Sequence, residues 1–381
     1  MKLLRYGLCV LLLGLVGVSP AAAQFNNVGT SAANFLKIPV GPRGTAVGGA
    51  YTALTDDATS LYWNVAGMTG VPNNEITLTT NIWLLDLRHD YLGAVFSVGD
   101  FDRIGFSISY LSYGEAMKVT TPAQPRGTGV EFSAYDVAVG LGYARQLTDR
   151  FSAGAQIKYI RESISQSAAS GVAFDLGLIF QSEWNDLRIG AAITNFGPDM
   201  QMTGDDLRTK LDPHLTTGSN PDDVPLFLET VNYSLPIQFQ VGIALTPMKS
   251  ESVALTTMLD VRDARDFNQE IRIGGELLFM NTLFLRGGAN LIVVEGSFFG
   301  SGDDVIIEGA DDPNNTNVGV QYRNPTTITR SDLRDGQALF NLGAGLDFFL
   351  PNSRTHFNFD YAYSRMQYLE DVHRLGVRFQ F

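Results

Sequence analysis

His373-Arg374-Leu375-Gly376-Val377-Arg378-Phe379-Gln380-Phe381 alternates without a break. His373, Leu375, Val377, Phe379 and Phe381 share one face, and Arg374, Gly376, Arg378 and Gln380 share the other. One apolar and one polar face is the mark of a strand. The pattern recurs upstream. Val137, Val139, Leu141 and Tyr143 oppose Ala138, Gly140, Gly142 and Ala144. Ile237, Phe239, Val241, Ile243 and Leu245 oppose Gln238, Gln240, Gly242 and Ala244. Phe357, Phe359, Tyr361 and Tyr363 oppose Asn358, Asp360, Ala362 and Ser364. Periodicity alone would also suit an edge strand of a soluble sandwich.

The amino-terminal end separates these two readings. Lys2 and Arg5 precede an apolar run from Leu8 to Val18, which is the length of a secretory signal and too short to span a bilayer comfortably. Ala21-Ala22-Ala23 fits a cleavage site, so residues 1–23 are expected to be a signal peptide. Cys9 is the only cysteine and lies inside that run, so the processed chain would hold no disulfide and no thiolate chemistry. No later stretch has the roughly 20 apolar residues of a membrane helix. The 39 glycines and 11% aromatic residues suit tilted strands and interfacial girdles. An exported chain of alternating strands is therefore expected to be an all-β, antiparallel transmembrane barrel of the outer membrane. Its partners would be outer-membrane lipid and the barrel-assembly machinery, with Phe379 and Phe381 as the assembly signal. The net charge of −13 argues against nucleic acid as a partner.

Fourteen strands are expected, starting near Glu75, His89, Arg103, Ala134, Phe151, Gly171, Asp186, Ile237, Ser252, Gln269, Thr282, Gln337, Arg354 and Asp371. Short connections alternate with longer ones, as in barrels with short periplasmic turns and long external loops. Ser165–Ser170 and Arg262–Asn268 are read among the longer ones. Both chain ends then lie on the periplasmic side. Lys158, Asp175, Arg272, Glu276, Asp347, Asp360, Arg374 and Arg378 fall on the lumen face. A charge on the lipid face would cost about 2–4 kcal/mol near the midplane. A fourteen-strand barrel leaves an interior that wall side chains do not fill. Residues 75–381 would form it, and residues 24–74, which do not read as strand, would form a short helical hatch within it. Asp56 or Asp57 is the expected N-cap of a helix running through Trp63.

The hatch sequence carries a specific resemblance. The block from Phe35-Leu36-Lys37-Ile38 through Asn64-Val65-Ala66-Gly67-Met68 resembles the N-terminal signature of the PorV/PorQ family, within the FadL-like (OMPP1/FadL/TodX) barrel group. Asn64-Val65-Ala66 matches the group's Asn-Pro-Ala except at Val65, a departure that bears on the local turn. The resemblance implies fourteen strands and a hatch in the lumen. It also implies a non-enzymatic role in type IX protein secretion, docking or shuttling exported proteins at the cell surface. Type IX secretion components and exported C-terminal signal domains would then be partners. The alternative is a FadL-like transporter of long-chain fatty acids or other hydrophobic compounds. That reading needs an apolar pocket between hatch and barrel, and a kink that breaks the wall's hydrogen bonds. Gly48, Gly49, Asp57, Trp63, Asn64, Ala66 and Gly67 are the hatch motif, structural or gating.

No catalytic or cofactor constellation stands out. His89, His214, His356 and His373 are scattered without metal-ligand spacing, and no serine is paired with a histidine in a recognisable frame. The loop bearing Glu295, Asp303, Asp304, Glu308, Asp311 and Asp312 is oxygen-rich, but its spacing is not that of an EF-hand. Leu226, Phe227 and Leu228 form an apolar patch in the loop Phe196–Pro236 and are a candidate docking rim.

Overall fold

The computed structural model describes residues 30–83, 87–211, 224–292, 338–349, 355–366 and 371–381. The expected leader and the acidic loop lie outside these residues. The structure is a closed antiparallel barrel of fourteen strands. They are β1 (Glu75–Ile82), β2 (Arg88–Ser97), β3 (Asp102–Ser112), β4 (Ala134–Thr148) and β5 (Phe151–Ile164). Next come β6 (Ser167–Gln181), β7 (Arg188–Phe196), β8 (Gln238–Lys249), β9 (Val253–Ala264) and β10 (Phe267–Phe279). The last are β11 (Leu283–Ile292), β12 (Ala338–Phe349), β13 (His356–Met366) and β14 (Val372–Gln380). Neighbours in sequence pair throughout, and β1 pairs with β14 from Glu75↔Gln380 to Ile82↔His373, which closes the ring.

Alternation sorts the side chains as the sequence reading expects. Leu78, Ile104, Leu141, Leu176, Phe239, Ile273, Leu342 and Leu375 point outward and are exposed, where lipid would meet them. Asp175, Arg272, Glu276, Asp360 and Arg374 are buried on the lumen side. At the short-turn end Phe379 lies 4.9 Å from Phe357 and 5.1 Å from Phe381, ring centre to ring centre. Near the long-loop end Tyr361 and Tyr363 gather around His373. Aromatic groups at both rims are the girdles of a membrane barrel.

Two connections are shorter than expected. β5 and β6 are joined by Ser165 and Gln166 alone, with Ser165 at φ 53°, and β9 and β10 by Arg265 and Asp266. β6 starts at Ser167 rather than near Gly171, because Ala169 and Ala173 carry the strand on as small lumen-facing residues. Phe35 and Leu36 of the hatch fill the space they leave.

The hatch fills the lumen and forms the core with the wall. It consists of a 3-10 turn (Asn34–Lys37), two short helices (Pro42–Ala46 and Ser60–Trp63) and a second 3-10 turn (Val65–Gly70). Pro42 opens its helix, where its missing N–H costs nothing. Three apolar clusters join hatch to wall. Phe35, Leu36 and Ile38 meet Leu111, Ile160 and Leu235; Val47, Tyr51 and Trp63 meet Ala244 and Met258; Leu61, Val65 and Met68 meet Val95 and Ala144. Each large aliphatic side chain buried this way contributes about 1.5–3 kcal/mol.

The expected N-cap is corrected. The helix runs from Ser60 and follows Thr59, with no side-chain cap bond. Asp57 instead accepts from Thr59 N–H at 2.9 Å and from the Thr59 hydroxyl, closing the turn before the helix. Asn64 is extended, and its Oδ1 accepts from Ala66 N–H at 3.2 Å, so Asn64 caps the second 3-10 turn with Val65 in the place of proline.

Candidate ligand site between hatch and wall

The hatch is fastened at the short-turn end by a buried network of charge. Arg43 grips Glu276 through Nε at 2.9 Å and Nη2 at 3.0 Å, and reaches Asp56 at 2.6 Å. Glu276 also accepts from Arg286 at 2.6 Å. Asp57 lies 3.5 Å from Arg43 and 3.4 Å from Arg378, and accepts from the Tyr51 hydroxyl at 2.8 Å. Burial alone would raise the Asp57 carboxyl, but Arg378 and Arg43, with bonds from Thr59 and Tyr51, hold it below the usual carboxylate range. Burial likewise opposes the charge on Arg43, and Asp56 and Glu276 outweigh it, raising the guanidinium well above its ordinary value. Ala58 N–H donates to the fully buried Glu75 at 2.6 Å, a further tie between hatch and β1.

The other hatch-motif residues are held as tightly. Trp63 is 2% exposed and donates from Nε1 to Val40 O at 2.9 Å. Asn64 Nδ2 donates to Thr52 O within the hatch and to Leu178 O on the wall. Ala66 is buried, and Gly67 packs against Thr55 and Ser60. Gly48 has φ 70°, and a Cβ there would stand 2.7 Å from Ala289 N. Gly49 presents its carbonyl to Arg272 Nη1 at 3.3 Å.

Toward the long-loop end the hatch and wall part. A cavity of about 400 Å³ opens between them, within the size range of small-molecule sites. Phe35 and Ile38 of the hatch and Trp83, Leu111, Phe267 and Met366 of the wall form its apolar side. Arg262, Arg272, Arg374 and Glu270 project into it from the strands. Gly48, Gly49 and Trp63 of the hatch motif line it as well; Asp57, Asn64, Ala66 and Gly67 do not. The sequence reading placed Arg272 and Arg374 in the lumen but did not join them to Trp83, Arg262 and Glu270. The signal available was charge at inward positions clustered near one end of β9, β10 and β14.

Histidine and serine do meet beside this cavity, contrary to the sequence reading. His89 Nε2 is 2.7 Å from Ser109 Oγ, and His89 Nδ1 is 2.9 Å from Asn81 Nδ2. The arrangement has the outline of a Ser-His-Asn triad with the wrong proton. Asn81 Nδ2 also donates to Pro39 O of the hatch at 3.1 Å, which fixes the amide. His89 Nδ1 must then accept, so Nε2 carries the proton and donates to Ser109. A general base needs Nε2 free to accept. The group serves as a polar tie between hatch and wall.

Among the described residues the ladders shift register at five places, and the seam between β6 and β7 is one of them. The β6–β7 ladder runs from Gln181↔Arg188 to Leu176↔Ile193, then shifts register to Phe174↔Phe196. Asn195 sits in the shifted stretch at φ 61°. Its N–H donates to Asp175 at 2.7 Å, its Nδ2 donates to Pro236 O at 3.1 Å, and Lys158 bridges Asp175 and Asn195. The β7–β8 ladder stops at Thr194↔Gln238. Beyond it Met202–Gly204 returns to pair with the start of β6. Phe174 and Phe196 flank the bulge outside, and a cavity of about 30 Å³, room for one or two waters, lies inside. The kink is present and the wall is closed at it.

In the loop between β7 and β8 the proposed rim is partly strand. Arg208–Leu211 pairs with Val224–Phe227 as a hairpin. Leu226, Phe227 and Leu228 are 38%, 68% and 57% exposed, on the outside of the molecule and away from the cavity.

The fold is similar to that of the CymD monoaromatic hydrocarbon channel, at 12% identity over 90% of this chain and 98% of that one, with a TM-score of 0.52. A Pseudomonas aeruginosa FadL homologue is also similar, at 13% identity over 92% and 98%, with a TM-score of 0.49. So is the Pseudomonas putida toluene transporter TodX, at 10% identity over 87% and 95%, with a TM-score of 0.47. The likeness is one of fold, that of FadL-like outer-membrane barrels. No curated protein sequence matches. Residues 16–308 match the family described as Uncharacterised protein family (UPF0164), and the chain belongs to that family.

Proposed function

We propose that this barrel passes small hydrophobic molecules across the outer membrane by way of the space between hatch and wall. The cavity of about 400 Å³ carries the reading, because it offers apolar surface between hatch and wall. The bulge at Asn195 supports it. A ladder already interrupted there needs fewer hydrogen bonds broken to open sideways. The role ascribed to CymD, a monoaromatic hydrocarbon channel, is of the same class. Small movements of the 3-10 turn at Asn34–Lys37 would join the cavity to the bulge, since both sites border that turn.

Docking of exported proteins, the type IX secretion role, is the second reading. The observation in its favour is the exposed patch at Leu226, Phe227, Leu228 and Val231. Mass spectrometry of the protein gently extracted from its native outer membrane tests both. A reproducible bound hydrocarbon or lipid-like molecule without protein partners supports passage. Co-purified exported proteins sharing a C-terminal domain, with the cavity empty of small molecules, would overturn it in favour of docking.

A further inference from the structure

The short-turn end of the lumen holds a cavity of its own, of about 220 Å³. It shares no lining residue with the cavity at the long-loop end. Arg43, Asp56 and Pro72 of the hatch border one side, and Phe284, Asp347, Asn358 and Arg378 of the wall border the other. Most of the charge here is already answered. Arg43 holds Glu276 and Asp56, Arg188 also reaches Asp56 at 3.2 Å, and Gln380 donates to Glu75 at 2.7 Å. Three atoms of the lining residues are not answered. Asn358 is 5% exposed, and neither its Oδ1 nor its Nδ2 has a partner. Asp347 forms no ion pair among the described residues, and its Oδ1, shut off from solvent, accepts from nothing. Register sets these groups in a row, because Asp347 pairs with Asn358 and Asn358 with Arg378 across β12, β13 and β14. Arg378 reaches Asp57 at 3.4 Å and Asp360 at 3.6 Å, longer than the roughly 2.8 Å of a full charge-assisted bond.

A buried polar atom without a partner costs about 1–3 kcal/mol. Three of them facing one cavity call for something that answers all three. The row presents them in order. A carboxylate and an amide oxygen stand at one end, and an amide N–H and a guanidinium stand at the other. The first pair accepts from an ammonium group, and the second pair donates to a carboxylate. Adjacent strands lie about 4.8 Å apart, so the row spans roughly 10 Å of backbone, and its inward side chains close that span around a short molecule. A neutral hydrocarbon answers none of these atoms, and a lone cation or anion answers one end. Water can satisfy each atom in any order; the separation of acceptors from donors is what selects a zwitterion. A cavity of roughly 150 Å³ already admits benzene, so this one has room for a small amino acid. We infer that it binds a free α-amino acid with a short side chain. The ammonium lies on Asp347 and Asn358 Oδ1, and the carboxylate on Asn358 Nδ2 and Arg378. Phe284 and Pro72 border the space left for the side chain. The site is separate from the hydrophobic path and stands or falls without it.

The test is a saturation-transfer NMR titration of the purified full-length barrel in non-ionic detergent at neutral pH. The probes are L-alanine, propanoate and ethylamine. The second lacks the ammonium of the first, and the third lacks its carboxylate. Wild-type protein is expected to bind L-alanine tighter than either by about tenfold or more. Asp347→Asn should bring L-alanine down to the affinity of propanoate and leave propanoate itself unchanged. No transfer to L-alanine on folded wild-type barrel overturns the inference, as does equal binding of all three probes. A preference for L-alanine over propanoate that survives in Asp347→Asn overturns the assignment of the ammonium to Asp347. The wild-type comparison needs no variant, so a misfolded Asp347→Asn leaves the inference falsifiable.

Discussion

At the short-turn end of the hatch, Arg43 meets Glu276, Asp56 and Asp57. At the long-loop end, Arg374 meets a serine and a tryptophan. Arg374 is buried and Arg43 largely so, and both stand where hatch and wall come together. The first is saturated with carboxylates; the second has none among the described residues. Saturated charge fixes geometry, because each partner is left uncompensated if the other leaves. The same hatch is thus pinned by charge at one end and borders a cavity at the other.

Breaking the pinned end should have the largest effect. Glu276→Gln leaves Arg43 and Arg286 facing each other without their shared carboxylate, and about 3–5 kcal/mol of stability should be lost. Urea unfolding of the barrel in lipid vesicles measures it. Replacing Arg43 and Glu276 together by leucine should cost less than either change alone, and a larger loss in the double variant would break the comparison. Gly48→Ala comes next. Its φ of 70° and the backbone of Ala289 leave no place for a methyl group, and about 1–3 kcal/mol should be lost in the same measurement.

The pinned end also carries a pH response. The folded pKa of Asp57 lies below the unfolded value of about 3.9. Its contribution is therefore complete above that value and is lost as pH falls through the folded pKa. Resistance of the hatch to an acid-active protease should hold from pH 7 to about 4 and fall below it. Asp57→Asn should be weaker at pH 7 and lose most of that slope. A slope unchanged in the variant would place the acid-sensitive lock elsewhere.

The contrast was half legible in the sequence. The wall was, because alternation is a local property and each strand declares its own two faces. Gln166 and Asp266 mark where it was less so: at both hairpins the strands ran further than expected, since small lumen-facing residues such as Ala169 and Ala173 dilute the pattern where hatch side chains complete it. The hatch was legible as a block but not in its contacts. Asp57 read as a helix cap, because the arginine that claims it, Arg378, is near the other end of the chain. Arg374 read as one more inward charge. Its meaning depends on what surrounds it, and Trp83, Ser364 and Arg262 come from three separate strand ends. His89 read as scattered for the same reason.

The smallest expected effect lies outside both ends, at the exposed hairpin. Phe227 is 68% exposed, its ring covered on one side by Arg208 at 5.1 Å. Phe227→Ser with Leu228→Ser removes apolar surface that the folded chain does not use, so stability should stay within about 0.5 kcal/mol. Ligand affinity at the cavity should be unchanged too, because the patch does not line it. If the double change instead weakens binding of a hydrophobic probe at the cavity, the loop between β7 and β8 takes part in the ligand path through Leu235 and the bulge at Asn195. If it strips co-purified proteins from the native barrel, the patch is a docking rim, and passage and docking occupy separate faces of one molecule.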